Sequence, residues 1–296
     1  MPGRNAAPSP IILCADDYGL TAGVSRAILE LAQARRISAT SAIVNLPRWA
    51  QDGPAVAAVR DRISIGLHIN LTLGGPLGPM PRLAPDGRLP SIGVLVRAAL
   101  TGRLDPGEVE AEVLRQIDSF VAATGFAPDH VDGHQHVHAL PRVRDAVLTA
   151  FGQRLQATRP LMRDPADTLA RVLRRGGSTS KALGIALLSA GFGARARQHE
   201  MPVNRGFSGF SNFDQTIDYG RELDRAFSHV GPFHIVMCHP GDPDAELEGL
   251  DPVVARRGQE WAVLASSQNS VNRIWHARRA GDGPPIDWNR EACHEF

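Results

Sequence analysis

The sequence is short of cysteine, of any surplus charge and of long apolar runs, and each shortage closes off a class of protein. Its 296 residues include only three cysteines, Cys14, Cys238 and Cys293. An odd, sparse set is a poor disulfide framework and fits a reducing compartment. Lys and Arg total 32 against 31 Asp and Glu, so the basic surplus usual in nucleic-acid binders is missing. The stretch from Met1 to Pro10 lacks the basic start and apolar core of a secretory signal. The apolar run Ile11–Ala15 is far too short to span a bilayer. These shortages predict a cytoplasmic protein with no membrane span and no nucleic-acid partner. No G-x-G-x-x-G follows the first strand, no Walker A loop is present and no G-x-S-x-G elbow occurs, which leaves dinucleotide folds, P-loops and serine hydrolases without support.

What is present is an ordinary globular composition, 43% hydrophobic and 21% charged, at a length that suits one large α/β unit. Ile11–Ala15 reads as a buried strand. Thr21 then offers a helix cap, with Val24, Ile28 and Leu31 at helical spacing. Further strands are expected over 38–46, over 63–71, at His130–Asp132 and over 233–239. Helices are expected over 54–60, 106–124, 141–155 and 261–274, and over 168–199 with a break at Gly176-Gly177. Residues 74–90 hold four Gly and five Pro and read as a long functional loop; 202–213 also reads as loop. Alternating strands and helices predict a parallel sheet. The polar residues of interest fall at strand ends along the whole chain, which favours a (β/α) barrel over an open sheet. The expected layout is one domain over 10–278 with tails at 1–9 and 279–296.

Four short segments carry the chemistry. Asp16-Asp17 closes the first strand. Neighbours in a strand point to opposite faces, so one carboxylate can hold a cation while the other moves protons, although such a pair also suits a helix cap. His68 lies in an apolar strand with Asn70 on the same face. Asp132-Gly133-His134-Gln135-His136-Val137-His138 packs three imidazoles beside a carboxylate, a pattern that points to a metal site because imidazole is a common ligand and a carboxylate often orients it. If this segment is extended, all three histidines share a face, and spacing alone does not choose among them. Cys238-His239-Pro240-Gly241 ends the last strand with a histidine suited to donate a proton, while Cys238 and Cys14 read as small buried hydrophobes. Arg163 either orients Asp16, binds substrate or forms a surface ion pair. One carboxylate and two imidazoles make a common hydrolytic metal site.

In this order and with these neighbours, Ala15–Leu20, Gly66–Thr72, Asp132–His138 and Cys238–Gly241 resemble the YdjC-like carbohydrate deacetylases, the family that includes chito-oligosaccharide deacetylases and hopanoid-biosynthesis-associated deacetylases. The resemblance runs from about residue 11 to about residue 270. It implies an irregular, TIM-like (β/α) barrel that removes the acetyl group from an N-acetylated amino sugar or oligosaccharide through a metal-activated water. It implies Asp17, His68 and His134 as ligands of one divalent ion, Zn or Mg ahead of Mn or Co. It implies Asp16 as general base and His239 as the acid, with Arg163, Asn70, His136, His138 and Asp132 supporting the site or binding substrate. The partner expected is an N-acetylated sugar, and a homodimer is compatible with the sequence. Tyr18 stands where the family often has Phe, the Asp132–Gln135 residues depart from the hopanoid-type pattern, and the Arg-rich stretch 165–200 matches no family motif. Two other readings compete: a metal-dependent phosphoesterase on a similar barrel, and a non-catalytic sugar- or metal-binding protein.

Overall fold

Every residue of β1 (Ile11–Tyr18) is buried, as a strand covered on both faces of a parallel sheet must be. The computed structural model describes residues 11–250, 254–268 and 272–275, together with Ile286 and Trp288. Thr21 caps α1 (Ala22–Gln33), its side chain accepting from the Val24 N–H at 3.3 Å. Then come β2 (Ala39–Ala42), α2 (Trp49–Ala57), β3 (Ser64–Ile69), α3 (Ile92–Thr101), α4 (Pro106–Thr124) and β4 (His130–Gly133). The boundaries of α4 agree with expectation at both ends because its signals are local. The Asp105 side chain accepts from the Gly107 and Glu108 N–H groups, Pro106 opens the first turn, and Gly125 at φ 80° ends the helix. The chain continues through α5 (Val143–Arg154), β5 (Leu161–Met162), α6 (Leu169–Arg175), α7 (Thr179–Leu188), α8 (Phe192–Gln198), β6 (Gly206–Ser208), α9 (Tyr219–Ala226), β7 (His234–Cys238), α10 (Ala245–Leu250) and α11 (Val254–Ser266).

All neighbouring strands are parallel, in the order β5-β4-β3-β2-β1-β7-β6. The sheet curls until its edges meet just ahead of β6. Met162 of β5 bridges to Val203, and the Met162 N–H donates to the Pro202 carbonyl at 2.8 Å. The fold is thus the expected irregular α/β barrel, with seven strands among the described residues. Strand alternation sorts the core into two. Ile11, Leu13 and Ala15 face the helices. Ile12 and Cys14 face the barrel interior with Phe207, Ile235 and Met237, which places Asp16 on the interior face as well.

Several boundaries differ from expectation. The second strand covers 39–42 rather than 38–46, and α2 starts at Trp49 rather than Pro54, which lies inside it. The last helix spans Val254–Ser266 rather than 261–274, and Ile274 instead bridges β1 at Ile11. The stretch 202–213, expected as loop, contributes β6, whose three residues are too few to show alternation. Residues 1–9 and most of 279–296 lie outside the described residues. Ile286 and Trp288 are buried in the barrel interior, the Trp288 ring edge-on to His130 and Phe233.

Candidate metal centre

The carboxyl ends of β1, β3 and β4 bring Asp17, His68 and His134 together. Asp17 Oδ1 lies 3.2 Å from His68 Nε2 and 2.8 Å from His134 Nδ1. One ligand atom from each residue falls within 4.8 Å of the others. Donors held at about 2.0–2.2 Å from one cation stand roughly 3 Å or a little more apart, so the donor set and its spacing fit a single divalent ion. His134 is the partly open member, its side chain 16% exposed, against 2% for Asp17 and for His68.

Local backbone explains why two adjacent aspartates serve one site. Simple alternation would send Asp17 to the helix side. Instead the β1–β2 register shifts between Ala15 and Tyr18, and Asp17 takes φ 69°. A bulge of this kind re-aims a side chain, and a left-handed non-glycine residue is strained backbone of the sort found at functional positions. The expectation that the pair points to opposite faces is corrected by this bulge. Local backbone also shapes the histidine cluster. It bends at Gly133, as a glycine there suggests, and continues as a kinked tight turn, with Gln135 at φ 54° and His136 at φ 60°, so the conditional face-sharing of an extended segment does not apply. The three imidazoles therefore diverge. His134 reaches Asp17, His136 packs edge-on to Phe207 and Phe210, and His138 packs on Phe192 while its Nε2–H donates to the Arg163 carbonyl at 2.7 Å. The turn needs Gly133, since a Cβ there would sit 3.0 Å from the His138 nitrogens and 3.1 Å from the Ile69 carbonyl.

Behind the triad lies a buried charge network. Asp132 Oδ1 accepts from His68 Nδ1 at 2.6 Å, which leaves Nε2 facing Asp17, the arrangement by which carboxylates orient metal-ligating imidazoles. Arg163 has no exposure. Its Nη1 and Nη2 donate to Asp16 Oδ1 and Oδ2, both at 2.7 Å, and Nη1 lies 2.7 Å from Asp132 Oδ2. The surface-pair reading of Arg163 is thereby overturned, and Asp16 is gripped in the bidentate geometry at which arginine excels. Ser41 also donates to Asp16 Oδ1, at 3.2 Å, so Oδ2 is the oxygen with the spare lone pair among the described contacts. Burial works against charge here, yet Arg163 and His68 hold the Asp132 carboxyl far below the usual range. Burial likewise opposes ionisation of Asp17, but His134 and Arg257 keep it well below the carboxylate range. Burial alone would lower His68; the Asp132 carboxylate outweighs it and lifts the imidazole to about 10, so without a cation a proton sits where the ion would.

His239 follows β7, half-buried, with its ring 5.9 Å from that of Phe213. Burial pushes it down to about 4 even though Asp17 and Asp16 pull the other way. Asn70 is fully buried and organises the loop after β3, its Oδ1 accepting from the Thr72 and Leu73 N–H groups and its Nδ2 donating to Asn45 Oδ1. Cys14 and Cys238 are buried and unbridged; Cys293 lies outside the described residues.

A family model described as "YdjC-like protein" matches residues 10–271. The chain belongs to the YdjC-like family. A chitooligosaccharide deacetylase of Serratia marcescens is 39% identical over 144 residues, 48% of this chain and 55% of that protein. A human carbohydrate deacetylase is 35% identical over 152 residues, 50% of this chain and 45% of its own. The chain thus spans about half the length of these curated relatives. A carbohydrate deacetylase of Geobacillus stearothermophilus matches more fully, at 29% identity over 87% of this chain and 89% of that one. The crystal structure of an Enterococcus faecalis protein, assigned provisionally to cellobiose-phosphate cleavage, superposes with a TM-score of 0.68 at 20% identity, covering 90% and 94% of the two chains; it shares the fold.

Of the further residues at this YdjC-like site, Arg257 has no motif to announce it, and Glu260 stands in the sequence only as the residue before Trp261–Ser266, a segment that resembles the family's closing helix, with no role attached. Arg257 on α11 donates from Nη2 to Asp17 Oδ2 at 2.6 Å. Glu260, one helical turn on, accepts the His239 backbone N–H at 2.5 Å, and burial raises it to about 7. The sequence signal was faint: Arg256, Arg257 and Glu260 are buried charges on a helix whose apolar positions alone defined its expected range.

Proposed function

We propose that this YdjC-like protein is a metal-dependent carbohydrate N-deacetylase, acting on an N-acetylated amino sugar or oligosaccharide. The observation that carries the reading is the Asp17–His68–His134 triad, spaced for one divalent ion and open at His134, beside an Arg-clamped Asp16. When bound, the cation supplies Lewis acidity, polarising a carbonyl and making water easier to deprotonate. Asp16 takes the proton of the attacking water at Oδ2, the oxygen not shared with Ser41. Arg163 holds the carboxylate in its bidentate grip and keeps it aimed. His239 is neutral above about pH 4, so it serves first as a hydrogen-bond donor to the developing oxyanion. The amine nitrogen needs one proton to leave, and the proton that Asp16 took from the water balances it: as negative charge gathers beside His239 the imidazole takes up that proton and passes it to the departing nitrogen, which returns Asp16 to its carboxylate form. Asp132 and Arg257 hold His68 and Asp17 in place.

A phosphoesterase commonly uses two ions and more ligands. The neighbouring carboxylates of Asp16 and Asp132 are both paired to Arg163, which favours a single ion. The test is acetate release from a panel of N-acetylated mono- and oligosaccharides, with chelator and with Zn²⁺, Mg²⁺, Mn²⁺ or Co²⁺ restored. Chelator-sensitive release from at least one member supports the reading; release from none of them contradicts it.

A further inference from the structure

The Arg-rich stretch between β5 and β6 takes no part in the site chemistry, yet it combines basic residues with exposed leucines. Residues 165–199 hold five Arg and Lys181, the chain's single lysine, against one carboxylate, Asp167. The whole chain has a net charge of only +1, so the remainder is net acidic and the positive charge is concentrated here. The same stretch leaves leucines in water. On α6, Leu169 is 58% and Leu173 57% exposed. On α7, Leu183 is 36% and Leu187 78% exposed. Each pair is spaced i, i+4 and so shares one helix face. Among the described residues of α7 only Ala182 is buried, and the helix is apolar apart from its first turn. A helix apolar on all sides belongs in an apolar surrounding, and exposed apolar patches of this kind mark interaction surfaces.

This surface also borders the candidate site. Lys181 lies 4.4 Å above the Phe213 ring, which in turn faces His239. Ile185 and Leu188 line a cavity of about 40 Å³ with Ile92 and Val96 of α3 and with Gln135 and His136 of the histidine turn.

We propose that α6 and α7 dock the protein on an anionic lipid surface, with the leucines entering the acyl boundary and the exposed Arg174 meeting the headgroups, while Asp167 pairs with Arg171 and Arg175 and Asp145 with Arg195, leaving the stretch net positive. Interfacial helices bind by this combination of apolar burial and attraction to anionic lipid. The charge argues for lipid over a second copy of the chain, because a two-fold contact through this stretch would set like charges face to face. Docking holds the mouth of the site at the membrane plane. It does not depend on the reaction assigned to that site.

The experiment is co-sedimentation of the full chain with vesicles of phosphatidylcholine alone and of phosphatidylcholine mixed with phosphatidylglycerol. The chain is expected to sediment with the anionic vesicles, less with the neutral ones, and less as salt rises from about 0.1 M to about 0.5 M. Leu183→Glu with Leu187→Glu should lower partitioning on the order of tenfold or more at unchanged circular dichroism. Should the double change harm folding, Leu187→Ser and Arg174→Glu, both at exposed positions, carry the test with losses of a few-fold. Absence of sedimentation with anionic vesicles, or equal partitioning of parent and variants, overturns the proposal. So does a lipid-free dimer, seen by analytical ultracentrifugation, that the same leucine changes dissociate without any vesicle binding.

Discussion

Asp17, His68 and His134 bring three donor atoms within 4.8 Å, and so, deeper on β1 and β4, do Cys14, His130 and Asp132. The two groups differ in what their atoms are already doing. In the lower group burial pushes the Cys14 thiol well up and the His130 imidazole down to about 4, so both are neutral, with Sγ and Nε2 3.7 Å apart. Asp132 is spent on His68 and Arg163. His130 is packed so closely on Gly66 that a Cβ there would fall 2.4 Å from its ring, and Trp288 covers another side. In the upper group the carboxylate is ionised, His68 is braced from behind and His134 opens outward. Ligand-type residues at ligand spacing are thus insufficient; a cation site also needs an ionised donor, uncommitted atoms and an entry. The lower group is core, and its chemistry is stability.

Breaking the upper group should have the largest effect. Asp17→Ala removes the ionised donor, and acetate release should fall by more than about 10⁴-fold, the weight of several kcal/mol of charge stabilisation, with bound metal lost by elemental analysis. Asp16→Asn sharpens the comparison within the upper region. Turnover should fall about 10³-fold, the scale of a lost general base, while metal content stays the same; equal loss of metal and turnover would show that Asp16 is a ligand. Asp132→Asn touches both groups, and should weaken metal affinity by about 10- to 100-fold in a competition titration with a chromogenic chelator.

The lower region should answer to pH instead. His130 at about 4 and His234 at about 3 are held neutral by burial, against an unperturbed value of about 6.5. The Gly231 N–H donates to His234 Nδ1 at 3.1 Å, so Nε2 carries the proton and donates to Ser208 Oγ at 2.9 Å, a set of bonds that a second ring proton would break. Because these folded-state values are depressed, the unfolded chain binds more protons between them and about 6.5. Their contribution is complete above about 6.5 and is lost as pH falls toward 4, at up to ~1.4 kcal/mol per pH unit for each group. The urea midpoint should therefore drop between pH 7 and pH 5, with His138 and His239, also held at about 4 by burial, adding to the fall and Glu260, raised to about 7, opposing it; a flat midpoint would remove this account of the buried histidines. Cys14→Ala should be the mildest change, about 1 kcal/mol of stability at most from a small loss of packing and one weak contact, with metal content untouched.

The barrel and the identity of the clustered side chains were legible in the sequence because their signals are local. The apolar runs of β1, β3 and β7, the caps of α4 and the density of His and Asp near strand ends need no long-range information. What escaped depended on a few backbone angles or on distant partners. The bulge at Asp17, which unites Asp16 and Asp17, is one residue's φ. The left-handed pair Gln135 and His136, which parts the three histidines, comes from non-glycine residues that ordinarily avoid that region. Arg257 and Glu260 reach the site across more than 200 residues and about 20 residues respectively, and no periodicity records such contacts. The leucines of α6 and α7 look in sequence like any other apolar helix face; only their exposure sets them apart.

Calorimetric titration of the chelator-treated protein with Zn²⁺ or Co²⁺, run on the parent chain, on Asp17→Ala and on Cys14→Ala, tests the central claim most directly. The account predicts one site per chain in the parent and in Cys14→Ala, and none in Asp17→Ala. A site that persists without the Asp17 carboxylate would place the metal outside the upper group, in the Asp16–His68–Asp132 or the Cys14–His130–Asp132 cluster, and one that disappears with the Cys14 thiol would place it in the lower group; either result contradicts the account.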